Sequence, residues 1–309
     1  MREFTDKADV WRFLRADRNW GRWGPDDQLG ALNLITAEKR RRAVSLVRSG
    51  RIVSLSRPFP LQPAPDNPIP AERIVKRIER GPTAGSVVDR LGIDYHGTAS
   101  THIDALCHVW DEDGMWNGRD PDREVGQENG SRFADIDTLG DGIVTRGVLL
   151  DVPRHRGVPY VTPEEPVTGD ELAAVAAATG VEIEPGDAVV VYSGRERFSA
   201  VNTPWGAGSL EVETSTRPGL HVSCLPFLRE VDAALLVWDM MDLRPNGFDL
   251  AFAVHAAIWA LGVALVDNAL LEPLALACAE ERRWEFQLIV APLRVKGGSG
   301  SPVNPLAVL

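Results

Sequence analysis

Short apolar, β-rich runs alternate with helical patterns through the second half of the chain, and this alternation limits the fold more than any other feature. The strand-like runs span residues 147–152, 188–192, 234–238, 263–266 and 286–295. Strands that alternate with helices build a sheet whose faces are covered by helices. The pattern therefore predicts an α/β fold, with a single domain, a mixed β-sheet and flanking helices.

The helical patterns carry recognisable start and stop signals. Thr168 and Glu171 form a capping-box pattern that opens a helix ending near Gly180. Two further helices are expected at 224–230 and 251–261, the second closed by Gly262. In the first half, Thr36 is a good N-cap for a helix over 37–49, and a short strand is expected at 51–56.

Three segments differ in composition, and they suggest how the chain is organised. Residues 1–50 contain a Trp-, Arg- and Gly-rich stretch followed by a helix, which we interpret as an ordered aromatic arm. Residues 51–296 form the main domain in this interpretation. The Pro- and Gly-rich residues 297–309 are expected to be an extended tail that contacts a neighbouring subunit.

Charge and apolar content exclude several classes of function. The formal net charge of −11 argues against a nucleic-acid-binding surface, which needs clustered Lys and Arg. The longest apolar run, 256–266, falls short of the roughly 20 residues that cross a membrane, so no membrane partner is expected. The charged N-terminus does not resemble a secretory signal, and the three cysteines lack C-x-x-C spacing. We therefore expect a cytoplasmic protein that acts on a small molecule.

Histidines are few, and three of the six lie within residues 96–108. On an extended strand, side chains two positions apart face the same side, so His102 and Asp104 converge on one face. An imidazole and a carboxylate at this spacing can hold a divalent ion such as Zn²⁺ or Mn²⁺. His108, one turn later, could swing back toward the same point as a general acid or base.

A second candidate cluster lies late in the chain. His255 belongs to the predicted helix that precedes the strand 263–266, and Asp267 follows that strand. A helix that turns back into a strand could bring the two side chains together at a strand end, where α/β folds place their ligands.

These residues resemble the signature of the metal-dependent cyclase family, which includes bacterial kynurenine formamidase and isatin hydrolase. The pattern is H-x-G-T-H-x-D-[AS]-x-x-x-H, followed later by a His and, twelve residues on, a carboxylate. The N-terminal aromatic stretch and a Pro-Gly-Leu-His sequence are similar to a longer subgroup of cyclase-like proteins. The matching segments are 101–108, His255 with Asp267 and Asn268, 20–27 and 218–221.

The resemblance implies a swivelling β/β/α-type domain and a hydrolase that cleaves an amide or cyclic amide C–N bond with metal-activated water. By this resemblance His102 and Asp104 are metal ligands, and His108 is the catalytic acid or base. His255 and Asp267 would complete the metal shell or a second site. The family also implies one divalent ion, zinc or manganese, with a second left open, and a homodimer or homotetramer.

One position departs from the family pattern. Thr98 stands where the family has its first histidine, four residues before His102. Either His221, which precedes a helix at a Pro-Gly turn, or His96 could supply the missing imidazole. We take His221 as the candidate ligand and leave His96 as the alternative.

Aromatic residues around the motif are candidates for a substrate pocket, which would suit a planar or apolar substrate. Arg195, at the end of the strand 188–192, could pair with a substrate carboxylate. The aromatic candidates are Tyr95, Trp110, Trp116 and Trp205.

Two other interpretations remain open at this point. The same scaffold could serve a metal-assisted cyclase, dehydratase or lactone hydrolase of secondary metabolism, because each of these reactions stabilises a similar oxyanion. A family member that has lost its metal could instead act as a small-molecule-binding protein, and Thr98 is the main support for that alternative.

Overall fold

The computed structural model describes residues 3–203 and 216–309. Thirteen strands lie in this part of the chain. They are β1 (Ile52–Ser54), β2 (Glu72–Glu79), β3 (Gly85–Gly92), β4 (His102–Asp104), β5 (Val125–Gly126), β6 (Gly130–Ser131), β7 (Ile143–Asp151), β8 (Ala188–Tyr192), β9 (Leu235–Trp238), β10 (Ala264–Asp267), β11 (Glu285–Val290), β12 (Gly300–Pro302) and β13 (Leu306–Val308).

Eight α-helices accompany the strands in the described ranges, together with short 3₁₀ turns and one π-helical turn, Ala257–Leu261. The helices are α1 (Lys7–Ala16), α2 (Ala37–Ser45), α3 (Pro121–Glu124), α4 (Val152–Arg156), α5 (Gly169–Thr179), α6 (Arg195–Val201), α7 (Cys224–Glu230) and α8 (Glu272–Glu281). No helix among the described residues combines the length and apolar character needed to cross a membrane.

Nine of the strands form one mixed sheet in the order β1-β13-β11-β7-β8-β9-β10-β4-β12. The four central strands β7, β8, β9 and β10 run parallel, and the strands outside them pair antiparallel. Successive residues of the central strands belong to two separate apolar clusters, one on each face of the sheet. Helices therefore cover both faces. This arrangement confirms the predicted α/β fold with a mixed sheet and flanking helices.

Helix caps follow the predicted chemistry. The Thr36 hydroxyl accepts a hydrogen bond from the Lys39 amide, and the Thr168 hydroxyl accepts one from Glu171. The Glu171 carboxylate does not complete the expected capping box, because it accepts two hydrogen bonds from Arg156.

The N-terminal arm packs on its own chain. The Trp20 indole donates to the Trp259 carbonyl, and the Asn19 amide donates to the Leu261 carbonyl. Gly30 comes so close to Gly262 that a Cβ on Gly30 would lie 2.3 Å from the Gly262 carbonyl oxygen. The arm therefore supports the π-helical turn that follows His255.

The C-terminal segment 297–309 contributes two strands to the main sheet. β12 pairs with β4 at one edge of the main sheet, and β13 is inserted between β11 and β1 near the other edge. Val303, Ala307 and Leu309 of this segment are buried. The segment is extended as predicted, but its backbone hydrogen bonds are made within the chain.

Two local predictions are wrong. The sequence between the loop at 58–70 and about Thr145 predicts a region rich in turns, but residues 72–92 form the β2–β3 hairpin, whose side chains are mostly exposed on both faces. The helix expected over 251–261 is only the turn Ala257–Leu261, so His255 lies before it. The reason is that the Asp242 carboxylate accepts hydrogen bonds from the Val254 and His255 amides, which fixes a turn there.

Candidate metal centre

Strand pairing brings the first three site residues to one face of the sheet. His102 and Asp104 lie at the two ends of β4, with Ile103 pointing to the opposite face. In the antiparallel pair of β4 with β10, Asp267 lies opposite His102. Residues directly opposite on paired strands share a face, so the Asp267 carboxylate joins His102 and Asp104.

Asp104 is the centre of the cluster. It is fully buried, and its Oδ1 lies 3.1 Å from His96 Nδ1, 3.5 Å from His102 Nε2 and 3.8 Å from His108 Nε2. Neither oxygen of Asp104 accepts a hydrogen bond of normal geometry from the described residues. A buried carboxylate that accepts no well-oriented hydrogen bond is costly unless a cation neutralises it.

His255 lies between two further carboxylates. Its Nδ1 is hydrogen-bonded to Asp242 Oδ2, and its Nε2 lies 3.1 Å from Asp267 Oδ2 and 4.0 Å from Asp104 Oδ2. The Trp238 indole donates to the other oxygen of Asp267. The chain of a carboxylate, a histidine and a metal position is the usual way in which proteins orient a metal-binding imidazole.

The residues fit a divalent cation. Among the described residues, two groups of three bring their ligand atoms within 4.8 Å of one another: His96, His102 and Asp104, and Asp104, His255 and Asp267. Two ligand atoms that each lie about 2.1 Å from a tetrahedral ion are about 3.4 Å apart. The distances from Asp104 to His96 and His102, 3.1 and 3.5 Å, are close to this value, as is the 3.1 Å between His255 and Asp267. Imidazole and carboxylate ligands suit zinc and manganese. Asp104 is common to both groups.

The electrostatics of the cluster follow from burial and opposite charge. Burial tends to raise the pKa of Asp104, but His108, His102 and His96 outweigh it and hold that pKa well below its usual value. Burial lowers the pKa of His108 to about 4, against the attraction of Asp104. For His255, burial opposes protonation, but Asp242 and Asp267 raise its pKa well above the usual value.

The structure places His96, and not His221, beside the cluster. His96 also stacks on His108, with ring centroids 4.0 Å apart, and its Nε2 is hydrogen-bonded to Ser299. His221 belongs to neither ligand group; its Nδ1 is hydrogen-bonded to Ser223 and its ring packs near Phe248. The position of His96 follows from the loop 97–101, which is not extended and therefore turns the His96 ring back over β4.

Asn268 and Arg195 hold this loop in place. The Asn268 amide donates to the Gly97 and Ser100 carbonyls, and its Oδ1 accepts from Arg195. Arg195 is buried and also donates to the Thr98 carbonyl. The guanidinium expected to pair with a substrate carboxylate is therefore engaged by protein acceptors, and Arg195 is a positioning residue.

The aromatic candidates separate into different environments. The Tyr95 ring lies 4.5 Å from the His96 ring, and its hydroxyl donates to Gly300. Trp110 is 45% exposed. Trp116 is completely buried, with its indole donating to the Asp27 carbonyl, so it belongs to the core under the N-terminal arm. Trp205 lies outside the described residues.

The sequence reasoning missed Asp242. It comes four residues after the buried strand β9, and the carboxyl ends of parallel strands are where α/β folds gather functional groups. That position was a signal that could have been used to find it.

Replacing Asp242 with asparagine should weaken metal binding by about 10- to 100-fold, because the His255 ring would lose the acceptor that orients it. The measurement is a competition titration with a chromophoric chelator, with circular dichroism to confirm folding. Asp137→Asn is the control, since Asp137 pairs with Arg294 and not with the cluster. Unchanged affinity in Asp242→Asn would show that Asp242 does not support a metal ligand.

Comparison with known proteins places this site in a family context. A family model described as "Putative cyclase" matches residues 44–244. A crystal structure of a novel cyclase is 28% identical, with a TM-score of 0.84, and the alignment covers 96% of this chain and 99% of that one. No curated protein sequence matches the chain.

Two isatin hydrolase structures share the fold. One, bound to the product analogue thioisatinate, is 17% identical with a TM-score of 0.54, and the alignment covers 89% of this chain and 99% of that one. Isatin hydrolase A from Labrenzia aggregata is 18% identical with a TM-score of 0.56, with 86% and 97% covered. At these identities the similarity establishes the fold.

Proposed function

This chain belongs to the cyclase family, and we propose that it is a metal-dependent hydrolase cleaving an amide or cyclic amide C–N bond of a small molecule. The observation that carries the proposal is Asp104, a fully buried carboxylate that accepts no hydrogen bond of normal geometry from the described residues and lies among three imidazoles. The name isatin hydrolase, given to proteins of the same fold, supports the reaction class.

The chain supplies the ligands for the ion. His96, His102 and Asp104 would hold it from β4 and the preceding loop, and His255 and Asp267 would hold it, or a second ion, from the β10 side. A zinc or manganese ion bound there would lower the pKa of a water molecule toward 7 and polarise a carbonyl group.

His108 is the residue that moves protons in this proposal. Its Nε2 lies 3.8 Å from Asp104 Oδ1, and the side chain is partly exposed, so a substrate can reach it. It accepts a proton from the attacking water and donates one to the leaving nitrogen, since a neutral amine leaves more easily than its anion. Asp104, His96 and His102 fix where that exchange takes place.

The test is metal-dependent turnover of a matched panel. Protein stripped of metal and then loaded with Zn²⁺ or Mn²⁺ is assayed on formanilide, a cyclic imide and a lactone. We expect hydrolysis of the formanilide or the imide only after metal loading. Turnover of the lactone alone would favour a lactone hydrolase, and metal binding without turnover of any substrate would favour a binding protein.

A further inference from the structure

His96 and Asp104 face each other through two buried polar atoms. His96 Nδ1 lies 3.1 Å from Asp104 Oδ1, yet neither atom makes a hydrogen bond of normal geometry within residues 3–203 and 216–309. Two buried atoms that carry lone pairs are unfavourable at this distance unless a hydrogen or a cation lies between them. A cation bound by both atoms satisfies them, and it requires a lone pair on His96 Nδ1.

The other nitrogen of the same ring has a protein partner. His96 Nε2 lies 2.9 Å from Ser299 Oγ, which is a hydrogen-bonding distance. A neutral imidazole carries one hydrogen, so a lone pair on Nδ1 places that hydrogen on Nε2, where it is donated to the Ser299 hydroxyl. The Ser299 hydroxyl is thus placed to select the form of the ring that binds an ion through Nδ1.

Ser299 is fixed to the strand that carries the other ligands. Its carbonyl accepts a hydrogen bond from the Ala105 amide, and the next residue, Gly300, pairs with Asp104 in the register of β12 with β4. The Tyr95 hydroxyl donates to the Gly300 carbonyl and so ties the chain before His96 to the same place. Ser299 and Asp104 therefore keep their relative positions through backbone hydrogen bonds.

The His96 ring has little freedom to turn between these groups. A Cβ on Gly300 would lie 2.8 Å from His96 Cε1, so the ring rests directly on the backbone of β12. The ring also stacks on His108, with an angle of 5° between the two planes. The C-terminal segment therefore forms the seat on which the His96 ring lies.

We propose that Ser299 is a positioning residue of the metal centre, because its hydroxyl accepts the His96 Nε2 hydrogen and holds the ring so that Nδ1 binds the ion together with Asp104. This rests on the proposed function, since it takes a divalent ion to occupy the cluster. It also gives a role to the contact between the C-terminal segment and the loop that carries His96.

The test measures zinc affinity in a double-mutant cycle. Zn²⁺ is titrated, in competition with a chromophoric chelator, into the wild-type protein, Ser299→Ala, His96→Ala and the double variant. We expect Ser299→Ala to weaken zinc binding about ten-fold or more, because the ring loses the partner that orients it. In the His96→Ala background the same change should have an effect of less than about two-fold. Ser299→Thr keeps a hydroxyl and should restore most of the affinity.

Ser223→Ala is the matched control. The Ser223 hydroxyl lies 2.9 Å from His221 Nδ1, so this variant removes a serine–histidine contact of the same length from a histidine outside both ligand groups. Its zinc affinity should equal that of the wild-type protein. Circular dichroism verifies the folding of every variant.

A second measurement observes the His96 ring directly. Protein labelled with nitrogen-15 in its histidines and loaded with Zn²⁺ is examined in a two-bond proton–nitrogen correlation spectrum, and the signals absent from His96→Ala identify the ring. We expect zinc on Nδ1 and a hydrogen on Nε2. This measurement needs no substitution of Ser299, so it decides the matter even if Ser299→Ala is unstable.

Several outcomes would overturn the proposal. They are a hydrogen on His96 Nδ1 in the zinc-loaded protein, a wild-type zinc affinity in Ser299→Ala, or an equal loss of affinity with and without the His96 side chain. A protein that binds no Zn²⁺ would contradict both this proposal and the hydrolase function. Zinc binding that depends on Ser299, without turnover of any substrate, would contradict the hydrolase function alone.

Discussion

The variant Asp104→Asn is expected to lose its divalent metal. Asp104 belongs to both ligand groups, and its side chain is the charge that balances a cation at the centre of the cluster. Supporting residues alone change metal affinity about 10- to 100-fold, so the loss of this shared ligand should exceed about 100-fold. Metal analysis after dialysis should find less than about 0.1 equivalents, with hydrolysis reduced in parallel.

Asp151→Asn is the matched control for this result. Asp151 is also a buried carboxyl group, but it accepts a hydrogen bond from the Arg154 amide and lies outside both ligand groups. It should retain the metal content of the wild-type protein. Full metal occupancy in Asp104→Asn would contradict the assignment of Asp104 as a shared ligand and would locate the ion elsewhere.

The variant His108→Gln is expected to keep its metal and lose most of its activity. His108 lies at the open side of the cluster, with its side chain 24% exposed, and it is not part of either ligand group. Removal of a general acid or base costs about 10²- to 10⁴-fold in rate. The loss should be in kcat, measured on whichever formyl amide or cyclic imide the wild-type protein hydrolyses.

His155→Gln provides the comparison, because His155 is an exposed histidine on α4. It should match the wild-type protein in both metal content and kcat. If His108→Gln loses metal together with activity, His108 is a ligand and not the group that transfers protons. If kcat is unchanged, another residue performs the proton transfer.

The strands of the central sheet were predictable because their signals are local. β8 is found at the expected residues, and β9 and β10 begin within one residue of their predicted starts. Each is a short apolar run buried on both faces, which is typical of parallel strands. The β2–β3 hairpin was missed because charged and apolar residues occur on both of its faces, so no period-two pattern marks it.

The roles of Trp116 and Arg195 could not be inferred from local sequence. Residue type predicted an aromatic pocket wall and a carboxylate-binding group. Trp116 is covered by the N-terminal arm, and Arg195 is enclosed by Asn268 and the Thr98 carbonyl. Both environments are made by segments distant in sequence, which no local pattern describes.

The sequence by itself determined the core of the candidate site. The His102-x-Asp104 spacing places both side chains on one face wherever the segment forms a strand, since alternation is a property of the strand itself. The sequence also indicated that His255 and Asp267 come together, and the structure has a hydrogen bond between their side chains.

Only the tertiary structure decided which histidine lies beside Asp104 in a chain that has Thr98 at the position of the family's first histidine. It also decided which residue orients His255. His96 reaches Asp104 through a loop held by Asn268, which is more than 160 residues away in the chain. Asp242 meets His255 because the loop between them folds back on itself. Such contacts depend on long-range packing that fixes loops, whereas strand alternation depends only on the backbone of the strand.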